Sequence, residues 1–134
     1  AFGPEHPRVA NSLNNLAGLY RQQRRFADAR ALYERALAIR QKVLGNAHPD
    51  TGESLENLAV LLVSEDRHQE AAPFFQRSIA ITEAALGPTH PTLADNLRDY
   101  GISLFKQRQL GPALEQLRRS AAIRTAAVTC GTCT

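Results

Sequence analysis

Cys130-Gly131-Thr132-Cys133 has the spacing of a redox dithiol or of half a zinc site. The sequence supplies the surroundings of neither. A redox pair opens a helix whose N-terminus lowers the first thiol's pKa, and here only Thr134 follows. A zinc site needs two more ligands, and the chain has no second cysteine pair. Histidines are the next candidates. His6, His48 and His90 each precede a proline at one repeated interval. Stacked units would hold them apart by about a helix diameter, 10 Å, whereas ligands of one metal lie about 2 Å from it. Their expected task is to close helix N-termini. His68 is expected alone in a turn. No Gly-rich phosphate loop, HExxH helix or nucleophile elbow occurs, so the expectation is a non-enzyme with no metal and no cofactor.

Arginine carries nearly all the positive charge, since Lys42 and Lys106 are the only lysines. Clusters at Arg21, Arg24, Arg25 and Arg30, and at Arg118, Arg119 and Arg124, could grip phosphate or carboxylate. Asp28 and Glu34 beside the first cluster point instead to a solvated helix face. A net charge of +3 is too small to demand a nucleic-acid partner.

These residues must be positioned by elements that 134 residues can build, either one compact domain or a short repeat array. With 43% hydrophobic and 22% charged residues the composition excludes disorder, collagen and a disulfide-dense scaffold. No apolar run approaches the roughly 20 residues of a membrane span, and no signal peptide opens the chain. A cytoplasmic protein is expected. The lack of Met and the start inside a repeat are expected of a piece of a longer chain.

A 42-residue period decides the architecture. It carries Gly3 onto Gly45 and Gly87, His6-Pro7 onto His48-Pro49 and His90-Pro91, and Ala38-Ile39 onto Ala80-Ile81 and Ala122-Ile123. Units 1–44, 45–86 and 87–128 follow, with a disordered tail at 129–134. Each unit contains two helical stripes. In the first helix they are Leu13, Leu16, Ala17 and Tyr20, then Leu55, Leu58, Ala59 and Leu62, then Leu97, Tyr100, Gly101 and Leu104. In the second they begin at Ala29, Ala71 and Ala113. Small residues in columns 17/59/101, 29/71/113 and 36/78/120 predict close antiparallel packing. Pro7, Pro49 and Pro91 predict the starts of the first helices, where a missing N–H costs nothing. Gly45 and Gly87 are expected as left-handed ends of the second. Pro73 falls inside a second helix, which it is expected to bend slightly.

Gly3-Pro4-Glu5-His6-Pro7, Ser12-Leu13-Asn14-Asn15-Leu16-Ala17 and Ala29-Arg30-Ala31-Leu32-Tyr33-Glu34-Arg35-Ala36-Leu37-Ala38-Ile39 together resemble the 42-residue tetratricopeptide repeat of the kinesin light chain type, over residues 1 to about 128. The resemblance implies an all-α fold, an α-solenoid of three helix-turn-helix repeats with six antiparallel helices in a right-handed superhelix. It also implies a concave face, lined by the first helices, that binds a peptide segment of another protein. On that face helix geometry places Asn11, Asn14, Asn15, Gly18, Arg21 and Gln22, then Glu53, Glu56, Asn57, Val60, Val63 and Ser64, then Asp95, Arg98, Asp99, Ile102, Phe105 and Lys106. Asn15 and Asn57 match the family position whose amide pairs with a ligand backbone, where Asp99 cannot donate. Val60, Val63, Ile102 and Phe105 are expected to form an apolar floor, with Glu53, Glu56 and Asp95 on one side and Arg21, Arg98 and Lys106 toward the other. Glu53 and Glu56 would repel the carboxylate that chaperone-binding members of the family clamp, and the mixed groove differs from the basic one of kinesin light chains.

The expected function is therefore a non-enzymatic scaffold for a protein or peptide partner. Its alternative is an architectural, oligomerising or autoinhibitory arm of a larger signalling protein. Leu114, Leu117, Ala121 and Ile123 are expected uncovered on the last helix, open to further repeats or to self-association.

Overall fold

The computed structural model describes residues 3–131, with side chains through Val128. Six helices follow one another: α1 (Pro7–Gln22), α2 (Phe26–Leu44), α3 (Pro49–Ser64), α4 (His68–Leu86), α5 (Pro91–Lys106) and α6 (Leu110–Gly131). Packing pairs α1 with α2, α3 with α4 and α5 with α6, and stacks each pair on the next, so the fold is a three-repeat solenoid without strands among the described residues. α6 continues helically through 129–131, where a disordered tail was expected, and 132–134 lie outside the described residues. No described helix is long and apolar enough to cross a membrane.

Each first helix begins as its His-Pro pair dictates. Proline takes the first helical position, and the Nδ1 atoms of His6, His48 and His90 accept from the backbone N–H of Arg8, Asp50 and Thr92 at 3.1, 3.0 and 3.1 Å. This satisfies one of the donors a helix N-terminus leaves open. Replacing His48 by alanine should cost about 1 kcal/mol, while asparagine, which also caps, should retain most of it. Urea midpoints of the two variants check this, and equal losses would contradict the capping role.

The first helices end in a way the sequence does not announce. Arg24, Asp66 and Arg108 hold φ of 61°, 62° and 62°, the left-handed conformation usual for glycine. They are fixed there by paired bonds across the turn: Arg25 N–H to Tyr20 O with Arg24 N–H to Arg21 O, repeated at Arg67–Leu62 and Asp66–Val63, and at Gln109–Leu104 and Arg108–Phe105. This is the Schellman pattern with a charged residue in glycine's place. Gly45 and Gly87 do have positive φ, 91° and 96°, but their ψ of 167° and 165° is extended rather than left-handed helical. Glycine alone occupies that region comfortably.

Alanine at the crossing points sets the helix spacing. Ala17, Ala29, Ala59 and Ala71 are fully buried among Tyr33, Leu58, Leu61, Phe75, Tyr100 and Leu104. Gly101 goes further, since a Cβ there would lie 2.8 Å from Leu117 Cγ. Ala71→Leu should therefore lower stability by roughly 1–3 kcal/mol through overpacking, read as a fall in melting temperature; an unchanged melt would refute the pairing. Hydroxyls tie the same crossings, Ser78 Oγ donating to Gly52 O at 2.8 Å and Ser120 Oγ to Ala94 O at 2.7 Å.

Two apolar expectations are corrected. Leu16 is 40% exposed although its counterpart Leu58 is 3% exposed, because Leu58 packs on the preceding repeat and no described helix precedes α1. On α6, Ile123 is buried against Leu93, Ala94 and Leu97, and Leu117 is half-buried over Gly101, so α5 covers both. Leu114 and Ala121 remain exposed.

Candidate functional site: the face of the first helices

α3 lies between α1 and α5 and touches each, so the first helices of the three repeats form one continuous face. Its first trough, between α1 and α3, is polar and lined by Asn11, Asn14, Asn15, Asp50 and Glu53 around Arg40. Arg40 reaches it from α2 as a buried cation. Its Nη1 donates to Asp50 O at 2.8 Å, Ser54 Oγ at 3.0 Å and Glu53 Oε1 at 3.4 Å, and its Nη2 to Asn11 Oδ1 at 2.7 Å. Asn14, with its amide oxygen toward the guanidinium, accepts from Nη1 and Nη2 at 3.0 and 3.2 Å. One side chain thus joins α2 to α1 and to the next repeat. In the same column Thr82 accepts from Asn96 at 2.9 Å, and Arg124 pairs with Asp95.

The second trough, between α3 and α5, has two unlike halves. Toward the helix C-termini, Val60, Val63, Ile102 and Asp99 surround a recess of about 120 Å³ floored by Phe75 of α4. Toward the N-termini stand Glu53, Glu56, Asp95 and Asp99. Arg98 holds Asp99 at 3.1 Å and Asp95 at 3.6 Å. Glu56 has no such partner: both its oxygens are buried and neither receives a hydrogen bond. Burial, then the neighbouring Asp99 carboxylate, push its carboxyl up to about 9, against only a small opposing pull from Arg98. At neutral pH it is therefore protonated, with Asp99 as acceptor of its proton.

The sequence profile of the tetratricopeptide repeat matches residues 8–84 and, overlapping, 55–126. The chain belongs to the tetratricopeptide repeat family. Its repeats are of the kinesin light chain type. They superpose on the nearly identical TPR-like repeats of a kinesin light chain candidate from Podosopora anserina with a TM-score of 0.81 and 28% identity, covering 90% of this chain and 57% of that one. BtubC (BKLC) from P. vanneervenii gives 0.85 and 27%, covering 92% of this chain and 49% of that one. The N-terminal domain of stress-induced protein-1 from C. elegans, at 18% identity and a TM-score of 0.70, shares the fold. Among curated proteins, nephrocystin-3 of Mus musculus is 56% identical over 36 residues, which are 27% of this chain and 3% of that protein. Tetratricopeptide repeat arrays are in general protein-interaction scaffolds, and this chain spans about half of the first two solved relatives and 3% of nephrocystin-3.

Within the repeat array the expected face residues fall into three groups. Asn11, Asn15, Arg98, Ile102, Phe105 and Lys106 are exposed, and Arg21, Asn57, Val60, Val63 and Asp99 are half-buried. Asn14, expected to be reachable, is 8% exposed, because Arg40 draws it beneath the surface. Phe105, expected in the apolar floor, is 61% exposed and outside the recess, whose base is Phe75. Nor do the charges separate to two sides, since Arg98 stands among the acids it pairs with.

Sequence reasoning missed Arg40 and the depth of Glu56. A polar column at 40/82/124 in otherwise apolar helix faces was the available signal for Arg40. It also missed His68, which opens α4 rather than standing alone: Nδ1 lies 2.9 Å from Ser103 Oγ and Nε2 2.9 Å from Asp66 Oδ1. The order Ser-His-Asp resembles a hydrolase relay. Ser103 is 1% exposed, however, so no substrate carbonyl reaches its oxygen, and the trio serves to fasten the turn onto α5. The Cys130–Cys133 pair lies outside the residues whose side chains are described.

Proposed function

We propose that this array is a non-enzymatic scaffold holding an extended segment of a partner protein along α1, α3 and α5. The observation that carries the reading is the state of Asn15 and Asn57. They occupy equivalent positions one repeat apart, neither is buried, and among the described residues neither amide has a hydrogen-bond partner. An amide donates and accepts at once, which suits the N–H and C=O of a ligand backbone. Beside Asn57, the recess at Val60, Val63 and Ile102 offers an anchor point for one side chain.

The test is affinity capture from source lysate by the wild-type chain and by Asn15→Ala/Asn57→Ala, with circular dichroism confirming equal helicity. A partner retained by the wild type and lost by the double variant is the expected result. Equal retention by both would refute the assignment, and capture of the parent chain alone would favour an architectural arm.

A further inference from the structure

We infer that the two ends of the array are complementary, and that a second copy of this chain stacks its α1 on α6 as each repeat stacks on the one before it. These surfaces are the ends of the stack, distinct from the face proposed for a partner segment. Leu19 of α1 is 56% exposed, whereas Leu61, 42 positions on, is fully buried against the preceding repeat, and Leu16 stands open in the same way beside its buried counterpart Leu58. At the other end Leu110 of α6 is 60% exposed, and Leu114, one turn on, is exposed with it. Repeat arrays that stay single in water present polar outer faces at both ends. Leucines at both ends of this one leave apolar surface without a partner among the described residues.

Register decides that the occupant is a second copy. Three pairs of positions recur at the junctions, each joining the second helix of one repeat to the first helix of the next. One pair is Phe26, packed on the cluster that holds Leu61, and then His68, whose Nδ1 lies 2.9 Å from Ser103 Oγ. Apolar meets apolar at the first junction and polar meets polar at the second. The same step carried once more brings Leu110 to Leu19 of a second copy, apolar on apolar. Another pair is Tyr33 with Leu58, then Phe75 with Tyr100, whose rings stack 5.5 Å apart. It continues as the half-buried Leu117 with Leu16. The third pair is Arg40, donating to Ser54 Oγ at 3.0 Å, then Thr82, accepting from Asn96 at 2.9 Å. It continues as Arg124 with Ser12, which restores arginine on serine. Arg124 already makes the part of this arrangement that lies within a repeat, since it pairs with Asp95 as Arg40 pairs with Asn11. Ser12, exposed on α1, stands in register for the part that crosses to the next repeat. At all three pairs α1 thus carries the counterpart that α6 lacks. A contact between unlike surfaces does not close on itself, so copies would add in an open row.

The experiment is sedimentation equilibrium of the purified chain across a wide range of concentration, with circular dichroism as the check on folding. The weight-average mass of the wild type is expected to rise with concentration beyond that of a dimer. Leu19→Glu and Leu110→Glu each spoil one end at an exposed residue, so each variant alone should keep its helicity and stay monomeric. Their equimolar mixture should form a dimer and nothing larger, because each pair then holds one intact α6 and one intact α1. A wild type that is monomeric throughout would overturn the inference and leave these ends to a further repeat or another protein. A dimer that survives in either variant alone would also overturn it, by showing like ends paired, as would a mixture that stays monomeric.

Discussion

Arg40→Ala should destabilise the array by about 2–4 kcal/mol, through the two buried acceptors it leaves without a donor. The guanidinium is buried and serves acceptors on two helices: Asn11 and Asn14 on α1, and Asp50 O, Glu53 and Ser54 on α3. Truncation removes the charge and leaves the two buried acceptors, Asn14 and Ser54, without that donor, which is costlier than never having assembled them, while Asn11 and Glu53 stay open to water. Methionine in its place fills the volume without satisfying the acceptors, so it should recover only part of the loss. Because repeat arrays are held by nearest-neighbour interfaces, the damage should centre on the junction between the first two repeats. Hydrogen exchange read across α1 and α2 measures this, with faster exchange there than in α5 and α6. Wild-type protection throughout the Arg40→Ala variant would contradict the role assigned to Arg40.

Glu56→Gln should have the opposite sign. In the folded chain the Glu56 carboxyl is held up to about 9 by burial and by Asp99, against 4.5 when free. Between those values the folded state keeps a proton that the unfolded state has released. Stability contributed by this group is therefore complete below pH 4.5 and declines as pH rises toward 9, at about 1.4 kcal/mol per unit. Glutamine cannot ionise and removes that decline. Relative to the variant, the wild type should lose about 2–3 kcal/mol between pH 6 and pH 8, measured as the difference in urea-unfolding free energy at the two values. Taking the difference cancels the other titrating groups that the two chains share. Parallel pH profiles would show that Glu56 is ionised in the folded state.

Periodicity made the architecture legible, and the reason is physical. A column repeated three times filters out local accident, so His-Pro marked the α1, α3 and α5 starts and the small residues marked the crossings. What the column could not convey was context. Leu16 and Leu58 occupy one register position, yet only Leu58 has a repeat before it to cover it. Asn14 and Asn15 look equally polar, but Arg40 from another helix draws one in and leaves the other out. The turns at Arg24, Asp66 and Arg108 give no glycine signal, because backbone bonds on both sides hold a left-handed residue of any type. On the candidate face, the accessibility of Asn15 and Asn57 was readable from their helix positions. The pairing of Glu56 with Asp99, and Phe75 as the base of the recess, depend on distances between helices and were not.

Amide chemical-shift mapping with a segment of the captured partner reports where the ligand lies without altering a residue of the array. The largest changes are expected at the side-chain amides of Asn15 and Asn57 and at the backbone of Val60, Val63 and Ile102. Changes confined to α2, α4 and α6 would place the ligand on the opposite surface and contradict the claim that the first helices form the binding face.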